Sequence, residues 1–193
     1  MRNVGPETKK YLEDIPTYKW PYFKFTDEEY NGLDIGAKGA GNHDSISDNA
    51  ISVDLDYPGY DGITLPFSDE SQDFVYSSHA LEHIPNQRKA IQEWYRVTRE
   101  SGVIFIIVPH QFLYERKACL PSAWNLDHKR FYTPALLLAQ VEIALVPNTY
   151  RIIQCRDLDM DYDYSLPINK HPVGNYSIEL IIQKITPPTW ELK

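Results

Sequence analysis

The sequence predicts an α/β domain with a doubly wound, mostly parallel sheet, and three stretches carry that prediction. Residues 65–110, LPFSDESQDFVYSSHALEHIPNQRKAIQEWYRVTRESGVIFIIVPH, read as a turn, a strand, a polar loop, an amphipathic helix and a second strand. That is one βαβ unit, the connection that parallel strands require. Within it VIFIIV is apolar at every position, the pattern of a strand covered on both faces and so central in a parallel sheet. Upstream, residues 33–35 and 50–53 are two short apolar strands separated by a loop that carries Gly36, Gly39 and Gly41, and Asp54 follows the second.

The chain of 193 residues, 42% of them hydrophobic, suits one good-sized core and hence one domain. Its 19 basic and 27 acidic residues leave a net charge of −8. Such a surface repels a phosphate backbone, so nucleic acid is not an expected partner. Cys119 and Cys155 are too few for a disulfide framework, which points to a reducing setting. The longest apolar run, residues 103–109, is far short of the roughly 20 residues that span a bilayer. The first residues, MRNVGPETKKYLEDIP, lack the apolar centre of a signal peptide. The expectation is a soluble, cytoplasmic protein without membrane insertion; the sequence carries no signal of its oligomeric state.

In chain order, residues 1–29 form an expected N-terminal aromatic arm or lid, and residues 30–193 the single domain. The arm reads as a short helix over residues 7–13 followed by Tyr18, Trp20, Tyr22, Phe23 and Phe25, with Pro16 and Pro21 preventing a continuous helix. Next come strand, glycine loop, strand and acid. Glycines let the backbone approach a ligand, and an acid after the next strand can accept both hydrogens of a ribose diol. The same glycines also serve ordinary turns. Residues 42–50 are too short and polar for a full crossover helix, and residues 54–65 contain none, so both connections are expected to be loops or single turns.

The strand over residues 74–77 ends at Ser77, Ser78 and His79, with Glu82 and His83 one turn later. In open α/β sheets, ligands sit beyond the carboxyl ends of the strands, where this polar group falls. The helix over residues 86–99 places Ala90, Ile91, Trp94 and Val97 on one face, and Gly102 is its expected stop. Residues 103–108 form the buried strand, and a long connection follows. Thr133 reads as an N-cap with Pro134 at the first position of a helix running to residue 145. Strands over residues 150–155 and 176–185 close the domain.

The order LDIGAKGAG, ISVDLD, LPFSDESQDFVYSSHALEHI, WYRVTRESG and VIFIIVPH resembles the class I methyltransferases that use S-adenosylmethionine, of the type 11 kind. The likeness runs from about residue 32 to residue 145. It is nearest a compact branch with shortened first crossovers, associated with polysaccharide or cell-surface sugar synthesis. The resemblance implies a Rossmann-like sheet of about seven strands with the last one antiparallel, and S-adenosylmethionine as cofactor. It places Asp34, Gly36 and Ala37 along the methionine part of the cofactor, Asp54 on the ribose, and Asp61 to Leu65 beside the adenine. Ser78 and His79 would face the methionine end, with His83 near the methyl group. The glycine spacing departs from the family's Gly-x-Gly-x-Gly, with Lys38 where a glycine is common.

A sulfonium is already an activated donor, so the protein's task in such a reaction is alignment. A hydroxyl acceptor would in addition need a base. The candidates are His79, His83, His110 and His128, of which His110 and His128 are preferred. A zinc site is the competing use of these histidines; only His79 and His83 have i, i+4 spacing and the sequence indicates no third ligand, so no metal is expected. The expected function is methyl transfer to a small-molecule or sugar acceptor. The alternatives are a non-catalytic cofactor-binding or partner module that keeps the fold, and a nicotinamide-dependent oxidoreductase on a similar sheet.

Overall fold

The structure, a computed structural model, describes residues 2–14, 29–38 and 43–189. Its elements are α1 (Pro6–Asp14), β1 (Gly32–Ile35), β2 (Ala50–Val53), β3 (Gln72–Ser78), α2 (Gln87–Val97), β4 (Thr98–Pro109), α3 (Pro134–Ala144), β5 (Tyr150–Leu158) and β6 (Ser177–Lys184). A 3₁₀ turn, Leu81–His83, follows β3, and a π-helical turn, Gln111–Glu115, follows β4. The six strands form one sheet in the order β2-β1-β3-β4-β6-β5. The first four run parallel, and β6 lies antiparallel to both β4 and β5.

The sheet thus has six strands where about seven were expected. Residues 54–71, which include YPGYDGIT, contain no helix or strand, and among the described residues no further strand extends the sheet beyond β2. Proline, glycine and aspartate recur there too often for a strand to form. Between β1 and β2 the described residues likewise contain no helix.

Helix α2 begins where Asn86 accepts a hydrogen bond from Lys89 N at 3.2 Å, and it buries Ala90, Ile91, Trp94 and Val97. It ends at Val97, earlier than expected, because Thr98 turns extended and donates its hydroxyl to Trp94 O at 2.7 Å. Gly102 is therefore no helix stop. It lies inside β4, where a Cβ would stand 2.7 Å from Asp73 O, so glycine is required by the close approach of β3. Arg96 fastens the preceding turn to α2: its guanidinium donates to Leu65 O, Phe67 O, Asp69 and Glu93 at 2.7–2.9 Å. Glu93 also accepts from Leu65 N at 3.0 Å.

Helix α3 has the expected cap, with Thr133 Oγ1 accepting from Leu136 N at 3.2 Å ahead of Pro134. Its buried Leu137, Val141 and Ala144 join α2 and one face of the sheet in the larger core cluster. The opposite face packs Phe74, Tyr76, Phe105, Ile107 and Ile181 under Tyr11 of α1. Tyr11 lies against Tyr76 with ring centroids 5.7 Å apart, and the Tyr76 hydroxyl donates to Thr8 Oγ1 at 3.3 Å. Helix α1 is the described part of the N-terminal arm. The aromatic residues from Tyr18 to Phe25, together with Gly39 and Gly41, lie outside the described residues. Among the described residues, no helix is long and apolar enough to cross a membrane.

Candidate active site

Parallel pairing brings the carboxyl ends of β1, β2, β3 and β4 to one edge of the sheet. Ile35 stands beside Val53 and Ser77, and Ser78 beside Ile107. Two adjoining cavities open there, of about 470 and 590 Å³, and both are lined by Gly36, His79, His83 and Asp127.

The first cavity has Asp54 and Asp61 on one side and Tyr60, Ile63, Ile84 and Pro85 as apolar walls. Gly36 takes φ +80°, and a Cβ on it would lie 2.7 Å from the Cβ of Ala80, so only glycine lets the chain leave β1 along this path. Asp54 Oδ1 accepts from Leu55 N at 2.7 Å. Asp61 shapes the loop, with Oδ1 accepting from Ile63 N at 2.9 Å and Thr64 N at 2.6 Å. Those amides hold its carboxyl below the usual range. Lys38 reaches across to Asp56 at 2.6 Å.

The second cavity is walled by Glu7 and Thr8 of α1, Asp34, Ala37, Ser78, Glu82, Tyr114, His128 and Tyr176. Burial pushes the Asp34 carboxyl up to about 7 although Ile46 N donates to it at 2.6 Å. Burial also raises Glu82 to about 8 and depresses His79 to about 4. Glu82 is 1% exposed, and neither of its oxygens has a hydrogen-bond partner among the described residues. His83 Nδ1 lies 3.0 Å from Asp127 Oδ2, and the buried His128 Nδ1 lies 2.5 Å from Glu115 Oε1. Tyr176 donates its hydroxyl to Glu7 Oε1 at 2.9 Å, tying α1 to this wall.

Of the residues expected at a site, Asp34, Gly36, Ala37, Asp54, Asp61, Ser78, His79, His83 and His128 line one or both cavities. Leu65 does not. It is 2% exposed in the core beneath the loop, with its amide on Glu93. His110 also stands apart from both cavities. Its Nδ1 accepts from Phe112 N at 2.9 Å and Leu113 N at 3.4 Å, capping the π-helical turn, while Nε2 faces Asp157 at 3.4 Å. With its lone pair engaged by the backbone, that imidazole is a helix cap. Ile63 lies within the stretch expected beside the adenine, and Tyr114 and Asp127 lie in the long connection after β4; Tyr60, Ile84 and Tyr176, in loops and at a strand end without periodicity, carry no signal in the sequence. The sequence reading placed Glu82 in the polar group but gave it no role.

Residues 22–106 match a family described as a methyltransferase domain. The human protein named "Probable tRNA methyltransferase 9B" is 28% identical over 56% of this chain and 28% of its own length. The chain thus spans little more than a quarter of that relative. Among solved structures, one assigned as a methyltransferase from Bacillus halodurans C-125 superposes with a TM-score of 0.60 at 15% identity, covering 94% of this chain and 100% of the other. A SAM-dependent methyltransferase from Archaeoglobus fulgidus gives 0.57 at 16% identity, covering 92% and 94%. At such identities the likeness is one of fold.

Proposed function

We infer that this chain is a class I S-adenosylmethionine-dependent methyltransferase that transfers a methyl group from that cofactor to a hydroxyl of a small-molecule or sugar acceptor, a reading supported by the match of residues 22–106 to a methyltransferase domain and by the likeness of fold. The observation that carries the reading is the pair of joined cavities at the ends of β1, β2 and β3. One has apolar walls and an acid suited to a ribose diol, and the other has a wall of titratable groups. Gly36 lines both cavities and presents only backbone to a ligand that passes from one to the other.

In this reading Asp54 holds the ribose hydroxyls and the loop shaped by Asp61 borders the adenine, with Tyr60, Ile63 and Ile84 as its apolar walls. Asp34, Gly36, Ala37, Ser78 and His79 line the methionine end, where the cofactor's cationic groups would favour the ionised form of Asp34. His83, which lines both cavities, stands near the methyl group. The cofactor supplies an electrophilic methyl carbon on sulfur. The chain's own part is to align an acceptor oxygen in the second cavity, exclude water and receive a proton near Glu82 and His128. Carboxylates on this wall suit a hydroxylated acceptor, and the net charge of −8 disfavours a polyanion. Sugar acceptors would place the reaction in polysaccharide or cell-surface glycan synthesis.

Calorimetry with S-adenosylmethionine and S-adenosylhomocysteine tests the cofactor, and transfer of labelled methyl to sugars, small alcohols and transfer RNA tests the acceptor. Binding together with label in a hydroxylated small molecule is the expected result. Absence of binding at millimolar cofactor overturns the whole reading. Binding without transfer points to a cofactor-binding module, and label in RNA replaces the acceptor while retaining the reaction.

A further inference from the structure

We propose that Glu82, His83 and His128, with His79 as a fourth donor, form a binding site for a divalent transition-metal ion in the wall of the second cavity. Glu82 Oε1 is the centre of the group: His83 Nε2 lies 3.7 Å from it, His128 Nε2 3.9 Å and His79 Nδ1 3.9 Å. One donor atom from each of Glu82, His83 and His128 falls within 4.8 Å of the others. Donors bound at about 2.1 Å around a tetrahedral ion stand roughly 3.4 Å apart, so these three would draw together around an ion, and His79, outside that group of three but 3.9 Å from Glu82, would move in to complete the shell.

The hydrogen bonds explain which nitrogen each ring offers. His83 and His128 both turn Nδ1 to a carboxylate, of Asp127 and Glu115, which fixes the proton there and leaves the Nε2 lone pair directed toward Glu82. His79 turns Nε2 to Ser177 Oγ at 2.9 Å and leaves Nδ1 for the same centre. Metal-bound histidines are commonly oriented by an outer carboxylate or another oxygen in this way. Without an ion, the Nε2 atoms of His83 and His128 would crowd against a carboxylate whose two oxygens lack hydrogen-bond partners among the described residues, with His79 Nδ1 3.9 Å from the same carboxylate and no cation between them. Buried polar groups are ordinarily paired, and a cation between these four would pair them all at once.

The backbone holds the donors in place. His79 takes a left-handed φ of +53°, rare for a residue with a side chain, and its amide donates to Ile107 O at 2.9 Å. The amide of Lys129 donates to Glu82 O at 2.8 Å, locking the segment that carries His128 against the 3₁₀ turn. Three nitrogens and one carboxylate oxygen form a borderline set that suits zinc, manganese or ferrous iron, whereas magnesium prefers an all-oxygen shell. The group lines the cavity, so an incoming oxygen ligand can reach the ion. In the methyl-transfer reading, on which this sentence alone rests, that ligand is the acceptor hydroxyl, whose proton the ion would make acidic enough to leave to solvent, and His128 serves as ligand rather than base.

Untagged protein, stripped with chelator and dialysed, is titrated with zinc, manganese and magnesium by calorimetry, and with cobalt followed by its visible absorption. One transition-metal ion per chain is expected, with cobalt bands of a nitrogen–oxygen site and magnesium at least tenfold weaker. H83Q, at a partly exposed position, and E82Q should each weaken binding at least a hundredfold, and D127N about tenfold. H171Q, outside the cluster, should leave it unchanged. Circular dichroism checks that each variant is folded. No binding of any of these ions up to millimolar concentration overturns the proposal, as does binding that folded H83Q and E82Q both retain. Because metal binding is read without cofactor or acceptor, it stands or falls separately from methyl transfer.

Discussion

Substituting Gly36 by alanine tests the path by which the chain leaves β1 toward both cavities. A β-carbon at φ +80° costs about 1–2 kcal/mol in the left-handed region. The new atom would also stand 2.7 Å from the Ala80 Cβ, well inside van der Waals contact, and overpacking of this kind costs about 1–3 kcal/mol. The sum, about 2–5 kcal/mol, is a large part of the roughly 5–15 kcal/mol that holds a domain together. Ala80→Gly removes the atom that is struck but leaves the backbone strain. The double variant should therefore recover the steric part, with a coupling of about 1–3 kcal/mol in a double-mutant cycle. Urea unfolding followed by far-ultraviolet circular dichroism gives the four stabilities, and calorimetry with S-adenosylhomocysteine follows the site. A loss below about 0.5 kcal/mol in Gly36→Ala, or no recovery with Ala80→Gly, would refute the reasoning.

Asp54→Ala should weaken S-adenosylhomocysteine binding about 10- to 100-fold, the worth of one or two charge-assisted hydrogen bonds, with little change in melting temperature; unchanged affinity would move the ribose elsewhere. Asp34 titrates near 7 in the folded chain but near 3.8 when unfolded, so between these values the native state holds a proton that the unfolded state lacks. Stability should then fall as pH rises through that window, by at most about 4 kcal/mol, and Asp34→Asn, which keeps an acceptor for Ile46 N, should remove this component. Denaturation at pH 5 and pH 8 measures it; the same pH dependence in both proteins would show that Asp34 is not the group responsible. Arg96→Met removes the donors that hold Leu65 O and Phe67 O to α2 and should cost about 1–3 kcal/mol, seen as a drop of roughly 3–10 °C in thermal melting. A melting point within a degree of the parent would mean that water replaces the guanidinium at no cost.

Most of the scaffold was legible because burial writes itself into period. VIFIIV announces a central strand, Ala90, Ile91, Trp94 and Val97 announce a helix face, and the Thr133-Pro134 pair announces a cap. Gly102 misled because a glycine after a helix and a glycine under a neighbouring strand look alike in sequence; only the approach of Asp73 O tells them apart. Six strands stand in place of seven because the resemblance supplied a strand that residues 54–71 could not form. Of the four candidate histidines, three line the cavities at the carboxyl edge of the sheet. The fourth, His110, is claimed by two backbone amides of a π-helical turn that has no periodic signature. His128 was visible, but its place opposite Glu82 depends on the fold of a long irregular connection, which no local pattern encodes.

The insertion of β6 between β4 and β5 has a consequence for biosynthesis. Strand β5 has β6 as its neighbour in the sheet, and β4 pairs with β6 from Val103 to Pro109. On the ribosome, β4 and β5 therefore emerge before the strand that joins them. At about 5–20 residues per second, translation from residue 110 to residue 184 leaves that flank of β4 unpaired for roughly 4–15 s. During that interval Ile104, Ile106 and Val108 belong to an open strand edge, the kind of surface that chaperones bind and that recruits other chains. The last of these strands to be made is an interior one, with a neighbour already waiting on either side.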